Sequence, residues 1–207
     1  MLHFPYKYVR IAENYDIYRI LKGEKMAKVY VFLANGVEEI EALTVVDVLR
    51  RGGMEVTTVS VTGKKEILGS HGIPIGADEL FDEDTLLDGD MLVLPGGLKG
   101  TNALMAHEGL RNLLMAYRDA DRFITAICAA PSVLGMNGLL KGRRATCYPG
   151  FEDKLLGAAA TGEDVVQDGN IITGKGMGVS IPFALKLLSV FSPEKAEEVG
   201  KKIQFPG

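Results

Sequence analysis

The sequence predicts an α/β fold, with a largely parallel sheet and helices on both of its faces. Three observations carry this. Strand-like and helix-like runs alternate for most of the length. The first strand run, "KVYVFLA" (28–34), is β-branched and aromatic-rich, with apolar residues on both parities, so both of its faces are covered. A second buried run, "DMLVLPGG" (90–97), ends in glycines, where a chain turns off the end of a strand.

The remaining elements follow in order. After the first strand, "EEIEALTVVDVLRRGG" spaces Ile40, Leu43, Val46 and Leu49 every third residue and stops at Gly52-Gly53, which predicts a helix. "EVTTVSV" (55–61) is a second strand, and "GKKEILGSHGIPI" a short hairpin-like excursion. "HEGLRNLLMAYRDA" (107–120) is a helix. "FITAI" (123–127) is a strand, and "APSVLGMNGLL" begins a helix. "RRATCYP" (143–149) reads as a strand, and "DVVQDGNIITG" (164–174) as a hairpin around Asp168-Gly169. "SIPFALKLLSVF" (180–191) is a helix that tolerates Pro182 in its first turn. In the last helix, "SPEKAEEVGKKI", Ser192 is the N-cap and Pro193 takes the first helical position.

Composition narrows the function classes. A net charge of −4, with no basic run, gives no sign of nucleic-acid binding. The only cysteines are Cys128 and Cys147, and there is no CxxC, which argues against a disulfide scaffold or a cysteine-rich zinc site and suits a reducing cytoplasm. No stretch approaches the ~20 apolar residues of a membrane helix. Neither GxGxxG nor GxxxxGK[ST] occurs, so nucleotide cofactors have no support. Residues 1–25 stand apart: they hold four of the seven tyrosines and a net charge of +2, from five Lys/Arg against three Asp/Glu. They read as an extension, an upstream start or an appended segment, before a single domain over 26–207. The alternative is an added element packed on that domain.

In a parallel α/β sheet, chemistry collects at the carboxyl ends of the strands. Three such ends carry signals. "ANGVEEIE" puts Glu38, Glu39 and Glu41 in the first turns of a helix, which its dipole alone would also favour. "LPGG" frees backbone N–H groups that can line an oxyanion site, or forms a plain turn. "ITAICAAPSVL" sets Cys128 between a strand and a helix, the shape of a nucleophile elbow, with a helix N-terminus that would favour the thiolate. Taken alone, that turn leaves a small buried cysteine equally open.

Together, "VFLANGVEEIEALTVVDVLRRGG", "DMLVLPGG", "ITAICAAPSVL" and "ITGKGMGVSIPFALKLL" closely resemble the DJ-one/ThiJ/PfpI superfamily, in the same order and spacing, from Met26 to the C-terminus, and most of all its DJ-one/ThiJ branch. The resemblance implies a flavodoxin-like doubly wound sheet, a homodimer, and no cofactor or metal. It places the nucleophile on Cys128 and, on Glu41, a protonated carboxyl that donates to the sulfur. It places oxyanion-type donors on Gly96, Gly97 and Ala129, and an arginine near the site and dimer interface on Arg51.

Two departures from the superfamily pattern stand out. The residue after the cysteine is Ala129 where protease-like branches carry histidine, so a cysteine amidase or protease is poorly supported. Tyr148, in "TCYPG", takes the place of the DJ-one branch's site histidine. His71 falls where some relatives present a basic residue to the site, whereas His107 opens a helix and reads as solvated. Cys147 reads as a buried structural thiol, with a resolving thiol as the alternative.

The implied activity is a cofactor-independent glyoxalase or deglycase, acting on small aldehydes or dicarbonyls such as methylglyoxal or on early glycation adducts. The competing reading is a redox-responsive stress protein or chaperone that uses oxidation of the same cysteine. A thiazole-biosynthesis role is a third.

Overall fold

The structure is a computed structural model that describes residues 26–206; the segment 1–25 singled out above lies outside the described residues. Its centre is a seven-stranded sheet. Strand β1 (Lys28–Leu33) pairs in parallel with β2 (Glu55–Ser60) on one side and β6 (Met91–Leu94) on the other. Beyond β2 lies a two-residue edge strand, β5 (Glu79–Leu80). Beyond β6 come β7 (Phe123–Ile127), then β11 (Ile171–Gly174), all parallel, and finally β10 (Val165–Asp168), antiparallel to β11. The order is therefore β10-β11-β7-β6-β1-β2-β5. A hairpin of β3 (Glu66–Leu68) and β4 (Pro74–Gly76) stands off the sheet, and β8 (Arg144–Ala145) pairs with β9 (Ala159–Ala160).

The period of two in β1 divides its side chains between two cores. Val29, Val31 and Leu33 face a layer of α1 (Glu39–Arg51), α5 (Ser180–Ser189) and α6 (Pro193–Lys202), meeting Val45, Leu49, Phe183 and Leu187. Tyr30 and Phe32 face the other layer, α2 (Leu98–Ala106), α3 (Glu108–Asp119) and α4 (Pro131–Met136), meeting Leu104, Leu113, Tyr117 and Leu134. Each such side chain contributes about 1.5–3 kcal/mol on burial. This is the doubly wound, flavodoxin-like arrangement expected. Ser192 caps α6 as the sequence indicates, its hydroxyl accepting from the Lys195 N–H.

Three local expectations change. The stripe on α1 is not all core: Ile40 and Leu43 are 51% and 42% exposed, while Ala42, Val45, Val48 and Leu49 are buried. Helix α2 was not expected at all. Residues 143–149 form only the two-residue β8, and Cys147 follows it in a buried loop rather than at a long strand's end.

Candidate active site

Chain connections run outward from β1 in both directions, to β2 on one side and to β6 and β7 on the other. The crevice at the carboxyl ends of β1 and β6 is thus the topological switch point, where such sheets hold their sites. Three segments converge there: 34–38 after β1, 95–97 after β6, and the turn after β7.

That last turn holds Cys128 at φ +66°, a left-handed conformation that is costly for a side-chain-bearing residue and is the mark of a nucleophile elbow. Two backbone hydrogen bonds hold it. The Cys128 N–H donates to the Gly174 carbonyl at 2.9 Å, and the Cys128 carbonyl accepts from the Tyr148 N–H at 2.8 Å. The side chain is half-buried.

Glu41 lies in the first turn of α1 and is fully buried. Its Oε2 accepts the Gly96 N–H at 2.9 Å. Among the described residues its Oε1 is buried without a conventional hydrogen-bond partner, and the carboxyl's other polar neighbour is the Cys128 thiol. Burial pushes this carboxyl up to about 7, against the pull of the Cys128 and Gly96 hydrogen bonds, and the charge of Glu38 adds to the rise. A proton on Glu41 supplies what the second oxygen lacks, a donor for the sulfur.

The thiol is pushed up to about 12, by burial first and then by the charge and hydrogen bond of Glu41, while the Gly97 and Ala129 N–H groups pull it down. This corrects the expectation that the helix end alone favours thiolate: α4 is a short helix and the thiol is half-buried beside a carboxyl. The two groups titrate as a pair. When Glu41 carries its proton, its repulsion of the thiolate is gone and the two backbone donors act unopposed by it.

The glycines of "LPGG" divide their work. A Cβ on Gly96 would stand 2.6 Å from both the Cys128 Cβ and Glu41 Oε2, so only glycine lets the pair meet. Gly97 sits at φ +84°, pressed against the Gly36 carbonyl and the Glu38 amide. The Gly96 N–H, expected to face an oxyanion, is instead taken up by Glu41; Gly97 and Ala129 are the donors acting on the sulfur.

The remaining residues singled out in the sequence are placed as follows. Tyr148 reaches the elbow through its backbone, but its ring is 51% exposed, beside Gly176 and edge-on to Phe151. Arg51 lies in the last turn of α1, its Nε donating to Asp47 at 2.6 Å. Ten residues from Glu41, it is about 15 Å further along the helix, so this chain alone does not bring it to Cys128. His107 is not solvated as expected: its ring packs on Phe81, with centroids 4.4 Å apart, and its Nδ1 caps α3 by accepting from Leu110. Cys147 packs into the core layer opposite the one Cys128 touches, and burial pushes its thiol up to about 11. His71, in the β3–β4 loop, meets Glu38 and Glu39 at the start of α1. This Glu-Glu-His set is closed by its own ion pairs beside a helix N-terminus, which disfavours a cation. Sequence reasoning did not foresee Ser70, whose hydroxyl lies 2.9 Å from both Glu38 and Glu39.

A family model described as the DJ-1/PfpI family matches residues 27–190. The chain belongs to the DJ-1/PfpI family. Among curated family members it is similar to Protein DJ-1 homolog A of Arabidopsis thaliana, 42% identical over 171 residues, which cover 81% of this chain and 44% of that protein. The chain thus spans less than half the length of that DJ-1 relative. Isonitrile hydratase of Pseudomonas putida is 35% identical over 123 residues, 58% of this chain and 53% of the enzyme. Among solved family structures, oxidized Toxoplasma gondii DJ-1 superposes with a TM-score of 0.82 at 32% identity, covering 87% of this chain and all of that one.

Proposed function

We propose that the protein is a cofactor-independent, cysteine-dependent glyoxalase or deglycase acting on small reactive dicarbonyls such as methylglyoxal. The observation that carries this is the buried Glu41 carboxyl beside an elbow cysteine. A carboxyl pushed up to about 7 exchanges its proton in the neutral range, which is what a proton shuttle needs. That one curated relative is named as a hydratase supports an enzyme on this scaffold.

In the proposed reaction, the Cys128 thiolate attacks the aldehyde carbon and forms a C–S bond. The carbonyl oxygen, held by the Gly97 and Ala129 N–H groups, takes the proton from Glu41 to give a hemithioacetal. Glu41, now ionised, removes the proton from that carbon, the C–H electron pair forms a C=C bond to the ketone carbon, and Glu41 returns the proton to the ketone oxygen to give an enediol. Protonation of the second carbon, with loss of the hydroxyl proton at the first, leaves a 2-hydroxy thioester. Water cleaves the C–S bond, giving lactate and restoring the thiol. Lactate formed from methylglyoxal by the purified protein, and lost in Cys128→Ser, is the expected result; no lactate from a folded wild-type protein would refute the reading.

The same geometry favours a second reading, a redox-responsive stress protein. Oxygens added to the Cys128 sulfur would meet the Gly97 and Ala129 N–H groups and the Glu41 proton, and one similar structure is described as oxidized. We also propose a homodimer. Ile40 and Leu43 on α1 and Leu68 and Ile73 on the hairpin are exposed apolar residues on neighbouring elements. Light scattering should give twice the chain mass, reduced to one chain in Leu43→Glu. Residues 1–25 are proposed to be dispensable for folding, because the family match begins at residue 27. A chain beginning at Met26 should melt as the full chain does.

A further inference from the structure

The first turn of α1 carries three carboxylates, and the reaction proposed above uses only Glu41. Glu38 is the N-cap residue of α1, three positions before Glu41, which places the two on the same side of the helix's first turn. The Gly96 peptide spans them: its carbonyl accepts from the Glu38 N–H at 3.0 Å and its N–H donates to Glu41 Oε2 at 2.9 Å. Glu38 is itself pinned from the β3–β4 loop. Ser70 Oγ lies 2.9 Å from Glu38 Oε2, and His71 Nδ1 lies 3.6 Å from the same oxygen. Glu39 anchors that loop, accepting the His71 N–H at 2.7 Å and meeting its ring at 3.0 Å.

We propose that Glu38 is a positioning residue for the Cys128–Glu41 pair: its charge, fixed beside Glu41 by Ser70 and His71, drives the pair's single negative charge away from the carboxyl and onto the sulfur. His71 sets how strongly it does so. The proposal rests on the Cys128–Glu41 pair being the reactive centre, and it does not require the dicarbonyl reaction.

The charge argument is one of distance. A like charge disfavours ionisation of its nearer neighbour most. Glu38 stands at the start of the helix that carries Glu41, and its charge adds to the rise of that carboxyl, whereas Cys128 reaches the pair from the separate turn after β7. Its field therefore makes the carboxylate form of the pair less favourable than the thiolate form. The groups facing Glu38 are Ser70 and His71 from the hairpin loop and Glu39 and Glu41 from its own helix, and Cys128 comes to Glu41 from the turn after β7. Among the described residues, the one ion pair Glu38 makes is to His71. The ring's proton is held by the Glu39 hydrogen bond and by the charges of Glu38 and Glu39. A protonated His71 offsets part of the Glu38 field.

The test is the pH profile of Cys128 alkylation by iodoacetamide, read by peptide mass spectrometry, with Cys147 in the same chain reporting any loss of folding. Glu38→Gln keeps the side chain's shape and removes its charge. Its midpoint should move to lower pH by about half a unit to one unit, the effect of one charge a helical turn away. The rate above the midpoint should fall several-fold, because more of the pair's charge then rests on the carboxyl. His71→Gln removes the offsetting cation and should move the midpoint the other way. Glu38→Asp, which restores the charge, should return the midpoint toward that of the unaltered protein. Opposite shifts in the Gln variants at 38 and 71 support the proposal. Unchanged midpoints, or shifts of the same sign, overturn it, since a merely structural role for Glu38 would slow the reaction without moving its midpoint. Shifted midpoints with no lactate from methylglyoxal would overturn the proposed dicarbonyl chemistry and leave this inference standing.

Discussion

The two thiols of this chain sit in segments that touch, yet their surroundings differ. Cys128 and the residue after Cys147 share a backbone hydrogen bond, from the Tyr148 N–H to the Cys128 carbonyl. Burial raises both thiols above the ordinary range, so burial alone does not distinguish them. What differs is the company. Cys128 is half-exposed on a strained turn, with two backbone donors at its sulfur and a carboxyl that can carry a proton. Cys147 is 4% exposed and packed among apolar side chains. A single N–H, that of Phe151, favours its thiolate, and the charge of Glu152 opposes it. On the proposed reading, the reactivity of Cys128 rests on the partner that shares the charge, not on a low thiol pKa fixed by a helix end.

The sharpest way to break this comparison is to exchange the thiols for serine one at a time. Cys128→Ser should abolish both lactate formation and the fast phase of alkylation, a loss of about 10³-fold or more in rate, since the alcohol stays protonated. Cys147→Ser should leave both within a few-fold. Comparable losses in the two variants would mean that the elbow is not special. Next in size is Gly96→Ala, which puts a methyl group 2.6 Å from both Cys128 Cβ and Glu41 Oε2. Forcing the pair apart should cost about 10²-fold in lactate formation, while peptide mapping still finds Cys147 protected. A smaller effect is expected on stability. The folded-state pKa of Glu41 lies above its unfolded value, so its contribution is fully present below about 4.5 and is lost as pH rises through about 7. Relative to Glu41→Gln, the unaltered protein should lose up to about 3 kcal/mol between pH 4 and pH 8. Urea melts at the two pH values measure this, and parallel curves would show that Glu41 is ionised in the folded state. The smallest effect is a thermal one. Cys147→Ser buries a hydroxyl in an apolar layer and should cost about 1–3 kcal/mol of stability.

The elbow was legible in the sequence because its determinants are local: an apolar strand, a cysteine, small residues and a proline follow one another over 123–131. The parallel sheet was legible for the same reason, in the double-sided apolar runs of β1 and β6. Helix α2 was not, because Gly97 stands directly before it and Gly100 lies in its first turn, and glycines there read as a loop. The outward turn of Ile40 and Leu43 was hidden too, since periodicity marks an apolar stripe but not what covers it. The direction of the Gly96 N–H depends on where Glu41 arrives from 55 positions away, and the clasp of Ser70 and His71 on Glu38 and Glu39 spans more than 30. No local pattern encodes either contact.

The carbonyl that anchors Cys128 belongs to Gly174, at the end of a strand laid down late in the chain. A growing polypeptide therefore carries this cysteine for a stretch of synthesis before the hydrogen bond that anchors its turn can form. If this anchor sets the turn, a chain halted before β11 should show two cysteines of equal, unremarkable reactivity. In refolding experiments with short alkylation pulses, the enhanced labelling of Cys128 should emerge only with the final phase. Its appearance before the sheet is complete would show that the turn closes without its anchor.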